Sequence, residues 1–382
     1  MARIVLGSYL VQFPLGGYLS WVLQWLVGMR DLGHEVVFVE KSIYPDSCYD
    51  AGKDSMTSDG TYGAQVVDDL LSRFGLGGSW CFADVTSQYH GMSRRTIEGF
   101  FKSSDLFIDM GTHGAWAEES AASGMRVFID GEPGSTQIKL DRQLQAGCPP
   151  ASYDAYFTVG QNIGTPASAI PTAGKRWRPV FYPASLELFP LKPIAGDAAF
   201  TTVMSWEAHD PVEWNGVRYG AKSAEFAKFL ELPSLTRNPL EIAVAGRNVP
   251  RSQLESAGWR VRDSHSVTLS FDAFRNYIAG SQGEFSVCKN IFVQANTGWF
   301  GDRAAAYLAS GRPVVMQDTG FSAHLPCGRG LFAVQTVEEA ASAIEEIRRD
   351  SASHSRWARE IASAHLDTPV VLGRFLDEIG IE

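Results

Sequence analysis

The densest run of chemically useful residues lies in the second half of the chain. Gly283-Glu284-Phe285-Ser286-Val287-Cys288-Lys289-Asn290 is followed by Thr297-Gly298-Trp299-Phe300-Gly301-Asp302-Arg303, and then by a helix leading to Ala309-Ser310-Gly311-Arg312-Pro313-Val314-Val315. A glycine-bearing loop entering a helix presents free amides at the positive end of the helix dipole, which makes an anion site. Arg303, in the first turn, adds a guanidinium that can grip a phosphate with two parallel hydrogen bonds. The plainer reading is that Asp302 caps the helix while Arg303 pairs on the surface. Lys222, at the end of Tyr219-Gly220-Ala221-Lys222, is another cation at a helix entrance, where the dipole disfavours positive charge. A bound anion would account for it; a solvated surface lysine is the alternative. Lys289 is a third cation able to reach such an anion. Gln317-Asp318-Thr319-Gly320-Phe321 follows the next strand.

The first half offers fewer groups. His113 stands in Asp109-Met110-Gly111-Thr112-His113-Gly114, on a loop at the carboxyl end of a strand. Imidazole is the side chain best placed at neutral pH to take a proton from a hydroxyl. Asp130, in Asp130-Gly131-Glu132-Pro133, could orient His113, act as the base itself, or simply shape a turn. Gln161-Asn162 also follow a strand and could line an acceptor; His209 and Asp210, after Trp206, could face a sugar. His34, at a strand start, reads as structural.

These residues need a scaffold of strands ending in loops. Arg3 to Gly7 reads as a strand, Gly16-Gly17 as a loop, Tyr18 to Leu32 as a helix and Glu35 to Val39 as a second strand, a right-handed βαβ unit. Further buried strands are expected at 106–109, 127–130 and 155–159. Between about Thr165 and Gly196 six prolines, from Pro166 to Pro193, predict an extended crossing rather than a strand or helix. A second alternation then begins, with strands at 201–205, 240–245, 259–261, 284–287 and 313–317 and helices at 223–230, 271–279, 302–309 and 337–349. The expected fold class is α/β, two Rossmann-like domains facing a deep cleft: 1–190, 197–365, and a terminal segment, 366–382, whose helix crosses back to the first domain.

Composition agrees with two domains. The 382 residues are 45% hydrophobic and 20% charged, typical of a globular chain. With 33 basic against 43 acidic residues the net charge is −10, which argues against neutralising a polyanion, so no nucleic-acid partner is expected. Five scattered cysteines without a Cys-x-x-Cys pair predict reduced, buried thiols. The stretch Tyr18 to Met29 is too short to span the ~30 Å hydrocarbon core, and a cytoplasmic location without a transmembrane segment is expected. P-loop, zinc-helix and nucleophile-elbow motifs are absent from the sequence, and so is an Asp-x-Asp metal motif.

The segment Gly298 to Phe321 resembles the donor half of GT-B glycosyltransferases, nearest to the family-four-like group of bacterial enzymes. There a Phe-Gly turn opens a helix that ends Ala-x-Gly-x-Pro-Val-Val; Phe300-Gly301 and Ala309 to Val315 match in register. The resemblance implies a second half that binds a nucleoside diphosphate sugar, as co-substrate and with no other cofactor, and a first half that binds a small or medium acceptor, such as a secondary-metabolite scaffold. It implies metal-independent transfer, with Lys222 on the donor diphosphate, Lys289, Gly298, Phe300, Gly301, Arg303, Thr319 and Gly320 around the donor, and Gly16-Gly17 in the loop facing phosphate or acceptor. The family pattern carries Glu-x7-Glu where this chain has Gly298 and Ala306, so Asp302, Glu284 and Asp318 are the carboxylates available to substitute. Readings that share the fold or the ligand are a nucleotide-sugar 2-epimerase or hydrolase, and a non-catalytic nucleotide-sugar-binding subunit.

Overall fold

The computed structural model describes residues 1–207 and 210–381. Its first sheet has eight strands: β1 (Arg3–Gly7), β2 (Glu35–Lys41), β3 (Trp80–Ala83), β4 (Tyr89–Gly91), β5 (Leu106–Asp109), β6 (Met125–Asp130), β7 (Ala155–Thr158) and β8 (Trp177–Pro179). They lie in the order β8-β7-β6-β5-β1-β2-β3-β4. Every pair is parallel except β3–β4. Ile4 aligns with Val36 on one side and with Leu106 on the other, so the winding reverses between β1 and β5. The continuous apolar runs of β1 and β5 reflect helices and loops covering both faces of the sheet.

The second sheet repeats the plan with β9 (Phe200–Ser205), β10 (Leu240–Ala245), β11 (Arg260–Asp263), β12 (Gly283–Ser286), β13 (Val314–Gln317) and β14 (Leu331–Val334). The order is β11-β10-β9-β12-β13-β14, all parallel, and it reverses between β9 and β12. The expected pair of Rossmann-like units is therefore present. The proline-rich crossing differs in one respect: Trp177–Pro179 joins the first sheet as its edge strand, a place where a missing amide costs nothing.

Four helices set the relation of the two units: α1 (Gly16–Asp31), α2 (Phe271–Ala279), α3 (Asp302–Ala309) and α4 (Thr368–Ile379). A Cβ on Gly16 would lie 2.5 Å from the Phe274 side chain and 2.8 Å from the Ser270 carbonyl, so α2 seats directly on the start of α1. The terminal helix α4 lies along α1, with Trp25 and Phe375 edge to face at 5.6 Å. Among the described residues no helix is long and apolar enough to cross a membrane. All five cysteines are free; Cys48, Cys81 and Cys288 are buried as expected, whereas Cys148 and Cys327 are exposed on surface loops.

The loop after β1 is fixed from beneath by Glu40, a fully buried carboxylate on β2. One oxygen accepts the amides of Leu10 at 2.7 Å and Val11 at 2.6 Å; the other accepts the Gln12 amide at 2.9 Å and its side chain at 3.0 Å. Burial pushes the carboxyl up to about 7, against the pull of these four donors. Glu40→Gln keeps the shape but turns an NH2 group toward backbone donors. It is expected to lower stability by about 3 kcal/mol, read by urea denaturation.

Candidate functional site

The carboxyl ends of the two sheets face each other, and the chemistry gathers where both windings reverse. On the second unit Arg303 enters from the first turn of α3 and reaches back into the sheet. Its guanidinium donates to the Glu284 carboxylate, to the Val203 carbonyl and, at 2.7 Å, to the Ser286 hydroxyl. Glu284 is fully buried. Neither expectation for these residues holds: Arg303 is not an open phosphate fork, and Glu284 cannot meet a sugar, because each is taken up by the other inside the fold.

Lys222 starts the short helix Lys222–Phe226 and is half-buried. Among the described residues it has no ion-pair partner. Burial, then the neighbouring charges of Arg303 and Lys289, push its ammonium down to about 8. Lys289 follows β12 and forms an ion pair with Glu132, which follows β6 of the opposite unit. The neighbouring Cys288 thiol, which donates to the Gln317 carbonyl, is pushed up to about 12 by burial and is inert. Trp206, directly after β9, is buried and packs on Phe226 at 5.2 Å.

Facing this cluster, the first unit presents an aromatic surface. Tyr9 lies 5.3 Å from Tyr18, 5.8 Å from Trp21 and 6.3 Å from Phe13, all edge to face, and Trp21 meets Tyr182 at 6.1 Å. Burial raises the phenols of Tyr9, Tyr18 and Tyr182, and the charges of Glu132 and Asp302 raise all three further. Asp302 is therefore near enough for its charge to reach these rings. It is not the helix cap, which is Gly301, and burial holds its own carboxyl above the usual range.

Other expected site residues build the seam between the units instead of a ligand surface. Gly298, at φ +73°, has its would-be Cβ 2.9 Å from the Asn162 amide. Asn162 donates to the Thr297 carbonyl through its backbone and to the Asn296 carbonyl through its side chain, each at 3.0 Å, while its Oδ1 meets His324 at 2.8 Å. Gln161 donates to the Val180 carbonyl at 3.0 Å. Gln161 and Asn162 thus have no free face for an acceptor. Gly16 belongs to the contact with α2 described above, whereas a Cβ on Gly17 would meet open space. Phe300 is buried against Phe321 at 5.3 Å, and Gly301 lies under the Trp299 ring. Thr319 is buried and donates to the Trp299 carbonyl at 2.6 Å. Asp318 accepts the Gly320 amide at 2.8 Å and the Ser322 hydroxyl at 2.7 Å, closing a turn. Asp318 and Gly320 border a polar recess of 330 Å³ with Lys228, Asn296, Gln317 and Gln335.

On the acceptor side His113 has a left-handed backbone, φ +53°, and its imidazole is held below the usual range by partial burial and by Lys139. Its loop is tied by Asp109, which accepts the Thr112 amide at 2.8 Å, the Thr112 hydroxyl at 2.7 Å and the Tyr153 hydroxyl at 2.5 Å. Asp130 does not orient His113. It is buried and accepts the Glu132 amide at 2.8 Å, Gln137 at 2.7 Å and Thr158 at 2.8 Å, so it is an internal anchor. His209 lies outside the described residues. Asp210 pairs with Arg247 at 2.9 Å in solvent. Tyr9, Tyr18, Tyr182 and Glu132 are residues that the sequence did not single out.

No family profile matches the sequence, and no curated protein matches it. Solved structures do. An α-glucosyltransferase in complex with UDP and a 13-mer DNA containing a central A:G mismatch aligns over 100% of both chains, with TM-score 0.58 and 11% identity. An α-glucosyltransferase with UDP-glucose and DNA containing an abasic site aligns over 99% of this chain and 98% of its own, at 0.55 and 11%. AviGT4, a glycosyltransferase involved in avilamycin A biosynthesis, aligns over 99% and 97%, at 0.54 and 13%. The architecture is thus the GT-B glycosyltransferase fold, as the Phe300-Gly301 and Ala309 to Val315 pattern implied. These neighbours also correct one expectation: proteins of this architecture are seen bound to DNA, so the exclusion of a nucleic-acid partner drawn from net charge does not stand. Net charge averages the whole surface, whereas binding reads a local patch.

Arg303 and Lys222 differ in what they do for the fold, and stability measurements separate them. Arg303→Ala leaves Glu284 buried and unpaired and is expected to cost about 3–5 kcal/mol in chemical denaturation. Lys222→Ala removes a half-buried cation without a carboxylate partner, and its denaturation midpoint is expected to equal or exceed that of the wild type.

Proposed function

We propose that the protein transfers a glycosyl group from a nucleoside diphosphate sugar to a hydroxyl-bearing acceptor without a metal ion. One observation carries the reading: Lys222 lies half-buried beside Arg303 and Lys289, without a carboxylate partner among the described residues, where the second sheet reverses. A desolvated cation next to other cations is unfavourable unless an anion completes it, and a diphosphate at this place is the anion the fold accommodates. As the glycosidic bond breaks, negative charge grows on the leaving diphosphate. Lys222, Lys289 and the amides at the start of α3 oppose that growth. Arg303 acts through position, holding α3 against β9 and β12. The acceptor belongs on the first unit, against the aromatic surface, with His113 as the imidazole available to a hydroxyl proton.

A second reading, nucleotide-sugar binding without transfer, is favoured by Gly298 and Ala306 standing where the family pattern has glutamates. Ala306 is fully buried, leaving no room for a carboxylate. Incubation with UDP-, GDP- and TDP-sugars, with and without acceptors, decides between them by release of free nucleotide. The acceptor panel includes hydroxylated secondary-metabolite scaffolds and duplex DNA. Release that depends on an acceptor supports transfer; free sugar or an epimer without acceptor indicates the hydrolase or epimerase. Tight binding with no turnover supports the binding subunit.

Lys222 also sets a pH dependence. Its ammonium is deprotonated above about 8, and a bound diphosphate favours the charged form, so binding takes up a proton above that pH. Affinity for UDP is expected to fall as pH rises through about 8, measured by titration calorimetry. In Lys222→Ala the affinity is weak throughout and this dependence disappears.

A further inference from the structure

We infer that Glu132 is an acceptor-binding carboxylate which Lys289 holds until the donor diphosphate takes the lysine over, so that donor binds before acceptor. The inference rests on the donor reading above. Its basis is the ion pair that, among the described residues, joins the two loop clusters of the site. Lys289 belongs to the cationic group, since its charge is felt by Lys222. Glu132 belongs to the aromatic surface, since its charge is felt by Tyr9, Tyr18 and Tyr182. The pair between them links the donor side to the acceptor side.

The geometry favours exchange of the lysine rather than movement of the carboxylate. The Glu132 backbone is held by its amide on buried Asp130, and Pro133, buried, follows it. The Glu132 side chain is 49% exposed, within reach of a ligand, whereas Lys289 is 23% exposed and has a flexible stem. A partly solvated ion pair of this kind is weak, and a diphosphate carries more charge and can engage Lys222 at the same time. Once Lys289 turns to the diphosphate, the aromatic surface of Tyr9, Tyr18 and Tyr182 is left with two nearby carboxylates, Glu132 and Asp302. Such a surface suits a neutral acceptor with a flat ring or sugar face and hydroxyls that donate to the carboxylates. It disfavours an anionic one.

The experiment is a double-mutant cycle on the full chain, titrating UDP and inorganic pyrophosphate into wild type, Glu132→Gln, Lys289→Gln and the double variant. Glu132→Gln is expected to tighten both probes by up to about fivefold by releasing Lys289, the factor to which an exposed pair of up to about 1 kcal/mol converts. Lys289→Gln is expected to weaken them, and Glu132→Gln to have no effect in its background. Glu132→Ala, which removes the group altogether, is expected to tighten as Glu132→Gln does. The acceptor half is read by saturation-transfer NMR with para-nitrophenyl β-glucoside, a ring joined to a polyol. Its signal is expected in wild type only with UDP present, and to be lost in Glu132→Gln. Unchanged or weaker probe affinity in both Glu132 variants, tightening that persists without Lys289, or glucoside binding indifferent to UDP overturns the inference. If wild type binds neither UDP nor pyrophosphate, the donor reading itself fails, which is a distinct result.

Discussion

The contact on which the site depends is the buried pairing of Arg303 with Glu284. A guanidinium in the first turn of α3 is bonded to the carboxylate of β12, to a β9 carbonyl and to a β12 hydroxyl. It thereby locks a helix entrance to the two strands between which the sheet reverses. The loop 287–301 has to run between these fixed ends, and its path brings Lys289 toward Lys222 on one side and Trp299 against Gly160 on the other. Taking two charges out of water is costly, and the guanidinium's further bonds to the Val203 carbonyl and the Ser286 hydroxyl are what make the arrangement tenable, since the second Glu284 oxygen has no partner among the described residues.

The electrostatics follow from that lock. An acidic chain concentrates positive charge at one place by using its own carboxylates selectively. Glu284 neutralises Arg303, Glu132 meets Lys289, and Lys222 has no such partner among the described residues. The opposite surface carries raised phenols, which stay protonated and act as hydrogen-bond donors, next to Glu132 and Asp302. Two surfaces of different character thus meet across one seam, a cationic one suited to leaving-group charge and an aromatic one suited to hydroxylated rings.

Much of the fold is legible in the sequence, because buried parallel strands are continuous apolar runs and helix ends carry glycine. Leu240–Ala245, Phe271–Ala279 and Asp302–Ala309 lie where the pattern puts them. Trp80–Ala83 and Leu331–Val334 have only four residues each, too few to show a period. The site is less legible. Lys222 and Lys289 stand at helix entrances and announce themselves by charge, but the partner of Arg303 lies on another element and is visible only in three dimensions. Gly298, Gln161 and Asn162 resemble ligand residues because both a ligand and a neighbouring backbone demand small or amide side chains. Tyr9 and Glu132 carry no spacing signal at all; the Glu132 backbone is placed by Asp130, whose own role was open among three readings.

The two units are not separable bodies joined by a tether. Gly16 admits α2 to the start of α1, and α4 returns along the same helix, so apolar side chains from both sheets and from the terminal helix pack in one continuous core. Unfolding one unit exposes apolar surface of the other, which makes the chain a single cooperative unit rather than two.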